Sequence, residues 1–100
     1  MAVKNIKNKA LKKFFYEGDE SKINPDHIES IRDILMSLHA SHATRDIKNS
    51  FNSFSKKKGS GEGTYSINVN GNWRITFQIE DDGVILVDYL DYHGKQIRSK

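Results

Sequence analysis

Arg74, Asp91 and His93 are the residue types needed to hold a phosphate and move a proton. An arginine grips phosphate oxygens through two donors at once. A histidine titrates near neutrality and suits proton transfer. A carboxylate can orient either of them. The three are spread along the chain, so they act together only if strands bring them to one face.

Two turn signals, Asn70-Gly71 and Asp82-Gly83, divide the stretch from Tyr65 to His93 into three strands. Tyr65, Ile67 and Val69 alternate with Ser66, Asn68 and Asn70. Trp73, Ile75, Phe77 and Ile79 alternate with Arg74, Thr76, Gln78 and Glu80. A two-residue loop at Asn70-Gly71 would set these apolar sets on opposite faces. Register follows the buried face. The expectation is therefore a three-residue loop, Asn70 to Asn72, pairing Val69 with Trp73 and Ile67 with Ile75, or a bulge of the same effect. A two-residue Asp82-Gly83 turn then pairs Ile79 with Leu86, Ile75 with Leu90 and Trp73 with Tyr92. On the other face it pairs Thr76 with Tyr89, Arg74 with Asp91 and Asn72 with His93. Asp88 on the apolar face, and Ile85 and Val87 on the polar one, fit this register badly.

The elements that must support this face come first in the chain. Val3 to Asn8 reads as an edge strand with outward lysines. Ala10 to Tyr16 reads as a helix stopped by Gly18. Asn24-Pro25 opens a second helix, whose Ile28, Ile31, Leu35 and Leu38 form one apolar stripe ending near Ala40. Ala43 to Asn49 suits a further short turn of helix, and Ser53 to Gly63 a basic loop. The expected fold class is α+β: a small, mostly antiparallel sheet packed against two N-terminal helices, in one domain over residues 1–100.

Charge is unevenly placed although the net is only +3. Lys4, Lys7, Lys9, Lys12 and Lys13 precede any acid, and Lys48, Lys56, Lys57 and Lys58 lie in an acid-free stretch. Segregated positive charge suits a polyanion, nucleic acid first; the alternative is a solvated surface. Lys56 and Lys57 fit diffuse attraction of phosphates. Cysteine is absent, and neither a membrane-length apolar run nor a secretory leader is visible, so a cytoplasmic protein with no membrane partner is expected. His39 and His42 lack an evident third ligand, so no metal is expected.

Three pieces of the chain resemble the HigB-type toxins of the RelE/ParE toxin–antitoxin superfamily. Leu11-Lys12-Lys13-Phe14-Phe15 with Gly18 is similar to the family's first helix. Val69 to Phe77, reading Val-Asn-Gly-Asn-Trp-Arg-Ile-Thr-Phe, resembles its central hairpin. Val87-Asp88-Tyr89 and Asp91-Tyr92-His93 resemble its C-terminal signature. The resemblance implies a RelE/ParE-like fold and a ribosome-dependent mRNA endonuclease that cuts the message in the ribosomal A site. It implies a HigA-like antitoxin as partner, with free toxin monomeric.

Carried over by residue, the resemblance implies Arg74, Asp91, Tyr92 and His93 as catalytic residues. Lys58, with Gly59, matches a Lys-Gly pair that implies phosphate binding at the catalytic centre. Ser55 stands where the family often has a histidine, three residues before that lysine; with Lys56 and Lys57 it is an expected RNA contact. Either His93 then carries proton transfer alone, or activity is weaker, or the loop aligns differently. Cleavage by 2′-hydroxyl attack needs a base, an acid and positive charge at the phosphate, and calls for no cofactor. Two alternatives stay open: a ParE-like toxin that binds gyrase, and a weakened RNA- or antitoxin-binding relative.

Overall fold

Asn8 opens the first helix by accepting a hydrogen bond from the Leu11 amide at 3.0 Å. Gly18 closes it at φ 73°, a left-handed conformation that costs glycine little. The helix, α1, runs Lys9–Glu17 and buries Leu11 and Phe14. Asn24 and Pro25 start the next element as expected, but its first turn, Pro25–His27, is a tight 3-10 turn. The regular helix α2 spans Ile28–Ala40 and buries Ile31, Ile34, Leu35 and Leu38. A third helix, α3, spans Thr44–Ser50. The Asp46 carboxylate accepts from the amides of His42 and Ala43, at 2.9 and 3.1 Å. These two bonds hold its pKa below the ordinary carboxylate value.

The computed structural model describes residues 1–56, 63–81 and 83–91. Its strands are β1 (Ala2–Val3), β2 (Ser55–Lys56), β3 (Tyr65–Asn70), β4 (Trp73–Glu80) and β5 (Gly83–Asp91), in one sheet ordered β1-β5-β4-β3-β2. β1 lies parallel to β5, and the other pairs are antiparallel. The α+β class is as expected. β2 is an addition, since it falls within the stretch read as a loop.

The first hairpin takes the bulge alternative expected for it, and the second corrects its expected register. In the first, Ile67 faces Ile75 as expected. The turn itself is short, because Asn70 pairs with Trp73 and the extra residue is a bulge between Asn68 and Asn70. Val69 therefore does not pair with Trp73. In the second, Glu80 pairs with Gly83 and Ile79 with Val84. A bulge then shifts the register, so that Thr76 faces Asp88, Ile75 faces Tyr89, Arg74 faces Leu90 and Trp73 faces Asp91.

Leu86 marks that bulge at φ 54°. Its amide donates to the Asn5 side chain at 2.6 Å, so the interrupted ladder leaves that donor satisfied. The shift removes the misfits of Asp88 and Val87, while Ile85 stays on the polar side opposite Gln78. Val87 enters the core, fully buried. Asp88 turns to the polar side, where its Oδ2 lies 3.8 Å from Lys7 Nζ.

The helices contribute to a core on one face of the sheet. Leu11, Ile31, Leu38 and Ile47 meet Ile67, Ile75, Phe77 and Val87, all fully buried. Each such side chain contributes about 1.5–3 kcal/mol over an exposed one. The opposite face is left to Ser66, Asn68, Arg74, Thr76 and Leu90, and it is the one that concerns function.

Candidate functional site

Cross-strand register builds two rows on the face away from the helices. Ser55, Ser66, Thr76 and Asp88 follow one another across β2, β3, β4 and β5. Asn68, Arg74 and Leu90 form the neighbouring row. Side chains on opposed residues share a face, and the sheet fixes their spacing. Arg74 is half-buried between two strands, and its Nη1 donates to the Gly71 carbonyl at 3.2 Å. The guanidinium thus leans toward the turn of the first hairpin.

Ser55 shares that face. Its hydroxyl lies 3.1 Å from the Ser66 hydroxyl, and Ser66 is buried. Strand geometry puts the Ser55 and Arg74 backbones about 12 Å apart, within the combined reach of an RNA chain and an arginine. A serine hydroxyl is no base near neutral pH, so the position supplies a hydrogen bond and no proton acceptor of ordinary strength.

Lys56 points the other way, as strand alternation requires. Its Nζ lies 6.0 Å from the centroid of the Tyr65 ring. Tyr65 in turn clusters with Phe54 and Phe77, at 5.2 and 5.7 Å, and those two rings stand 6.4 Å apart. The lysine is exposed at the sheet edge, where it adds charge without sharing the Arg74 face.

Asp91 also departs from its expected place. The Arg74–Asp91 pair is replaced by Arg74–Leu90, and Asp91 stands opposite Trp73 at the exposed end of β5. Two changes combine: the hairpin closes earlier than expected, with Glu80 paired to Gly83, and the Leu86 bulge reverses the alternation beyond it. Trp73 likewise faces Asp91 where Tyr92 was expected. Lys57, Lys58, Tyr92 and His93 lie outside the described residues. The structure therefore brings Arg74 and Ser55 to one face, and sets Lys56 and Asp91 on the alternate side of their strands.

One buried group was not singled out from the sequence. His27 is only 4% exposed, and its Nδ1 lies 2.5 Å from the Tyr89 hydroxyl. The Trp73 and Tyr89 rings stand 4.7 Å apart, and His27 lies 5.7 Å from Trp73. Burial raises the Tyr89 pKa above its ordinary value. The cluster ties the last residues of β5, and so the approach to Asp91, to the 3-10 turn. Its signal was present: His27 precedes Ile31, Ile34 and Leu38 at steps of four, three and four along one helical face. His39 has a structural task as well, accepting the Val3 amide on Nδ1 at 3.2 Å.

Comparison with known proteins bears on the family and the fold. A family model described as the RelE-like toxin of the type II toxin–antitoxin system HigB matches residues 4–93. Endoribonuclease HigB of Proteus vulgaris is 32% identical over 91 residues, covering 91% of this chain and 99% of that protein. The YoeB–YefM complex from Staphylococcus aureus has a similar fold, with a TM-score of 0.62 at 18% identity over 93% of this chain and 99% of that one. The YoeB dimer from the same organism gives 0.54 at 15% identity, with the same coverage. The fold is that of the small toxins of toxin–antitoxin modules. Within that class, the chain belongs to the HigB-like toxin family of type II systems.

Proposed function

We propose that this chain is an endoribonuclease toxin that cuts mRNA on the ribosome, in the A site, by attack of the substrate's own 2′-hydroxyl. The observation that carries the reading is the position of Arg74. It stands on the helix-free face of the sheet in a chain of the HigB-like family, beside a row of small polar side chains. A guanidinium there can hold the non-bridging oxygens of a phosphodiester and stabilise the charge that builds on the phosphorus.

In this reading His93 moves the proton at the 2′-hydroxyl or at the departing 5′-oxygen. Lys58 adds positive charge, Asp91 orients the C-terminal group, and Tyr92 stacks on a base or donates to the phosphate. Lys56 and Lys57 attract the RNA backbone. Ser55 contributes a hydroxyl where many relatives have a second imidazole, so proton transfer rests on fewer groups. The proposed neutralising partner is a HigA-like antitoxin, and the proposed place of action is the cytoplasm.

Toeprinting of translating ribosomes tests the reading. Purified protein should produce cuts in A-site message. Arg74→Ala and His93→Ala should each lower the cleavage rate, roughly a hundred- to ten-thousandfold for the loss of a proton-transfer group. Lys56→Ala should weaken binding in a salt-dependent way and leave the rate at saturation unchanged. Absence of cuts together with tight binding to gyrase would replace the nuclease by a gyrase-binding toxin.

A further inference from the structure

A phosphodiester held by Arg74 carries a nucleoside on each side. The cross-strand row places one side chain to meet each of them. Asn68 on β3 and Leu90 on β5 both pair directly with Arg74 on β4. Opposed residues stand about 4.5–5.5 Å apart at Cβ, so Asn68 and Leu90 flank the arginine at about 10 Å from one another.

The two flanking residues differ in chemistry. Asn68 is exposed, and its backbone N–H donates to Ser53 Oγ at 2.9 Å, which fixes the backbone beneath the side chain. A carboxamide presents a donor and an acceptor together, the pattern needed to read a base edge. Leu90 is 38% exposed, a large apolar side chain on an otherwise polar row. Such a surface packs against the face of any base, whatever its identity.

We propose that Asn68 and Leu90 form a two-nucleoside subsite around Arg74, in which Asn68 reads the base on one side of the bound phosphate and Leu90 packs against the base on the other. This rests on the reading of Arg74 as the phosphate-holding residue. It divides labour within the row: Asn68 sets base preference at one flanking position, and Leu90 supplies affinity without preference.

The test is single-turnover cleavage on ribosomes programmed with messages that vary either base flanking the cut. Asn68→Ala should flatten the ranking of bases at one flanking position, losing roughly 5- to 150-fold of discrimination. Asn68→Asp, with acceptors only, should re-order that ranking. Leu90→Ser should raise the half-saturating ribosome concentration with the ranking unchanged, and Leu90→Phe should restore it. Thermal melts confirm that each variant is folded, and both positions are on the surface. Wild-type ranking in Asn68→Ala, or wild-type half-saturation in Leu90→Ser, overturns the subsite. Arg74→Ala separates the two levels. If it cuts as well as wild type, the parent reading fails. If it is inactive while the flanking variants behave as wild type, only the subsite fails.

Discussion

Tyr89 shows how one side chain links support to chemistry. Its hydroxyl meets buried His27, its ring meets Trp73, and two residues later the chain reaches Asp91. Tyr89→Phe leaves a ring nitrogen of His27 without this hydroxyl, which should cost about 1–2 kcal/mol in urea denaturation. The pH dependence follows from the raised Tyr89 pKa. The folded state keeps this proton more tightly than the unfolded chain does. Its stabilisation is full below the unfolded value of about 10 and is lost as pH rises through the folded value. Urea midpoints should therefore fall less steeply with alkaline pH in Tyr89→Phe than in wild type. Asp46 behaves in the opposite sense. Its lowered pKa gives stability that is present above the unfolded value and lost as pH falls through the folded one. Acid unfolding of Asp46→Asn should be correspondingly shallower. At this scale Arg74 was legible, because an arginine on the polar side of an amphipathic strand needs no long-range information. Its neighbour on β5 was not legible, because that pairing depends on a bulge in the other strand.

The helices could be read because their signals are local. Asn8, Gly18, Asn24 and Pro25 mark ends through backbone chemistry that does not depend on tertiary packing. Asn8→Ala should cost about 1 kcal/mol, measurable by thermal melting. The bulge at Leu86 carries no such mark, since a bulky residue at positive φ sends no glycine signal. Only the misfit of Asp88 and Val87 in the unbulged register pointed to it. Deleting Leu86 should leave Val87 opposite Phe77 and Asp88 opposite Thr76, but it removes the amide bonded to Asn5 and disturbs the bridge from Ile6 to Val87. That variant should fold with a lower urea midpoint than wild type, whereas Leu86→Gly should fold with stability equal to wild type or higher by about 1 kcal/mol. β2 was missed for a different reason: two residues are too few to show alternation, and their pairing with β3 is decided by the partner strand.

For the whole molecule, the α+β class followed from the order of patterns along the chain, but the strand order did not. An edge strand was legible but was read over Val3 to Asn8, whereas β1 is Ala2–Val3 with one further bridge at Ile6, and its parallel pairing with β5 joins segments far apart in the chain, Val3 with Val84. No local pattern encodes such a pairing. The charge pattern belongs to this scale as well. Lys4, Lys7, Lys9, Lys12 and Lys13 are all exposed. Neutralising pairs of them should lower the slope of log affinity for single-stranded RNA against log salt by about 0.7 for each phosphate that is no longer neutralised. An unchanged slope would return these lysines to the role of a solvated surface.

The pairing of the first strand with the last also sets a timetable for synthesis. As the chain leaves the ribosome, Val3 and Ile6 wait for Val84 and Val87, their partners across β1 and β5. At about 5–20 residues per second, the interval is roughly 4–16 s. During it α1 has no complete sheet to cover, and the row through Arg74 lacks Leu90. The phosphate-holding face of the proposed nuclease is therefore complete only once Leu90 has been made and has paired with Arg74.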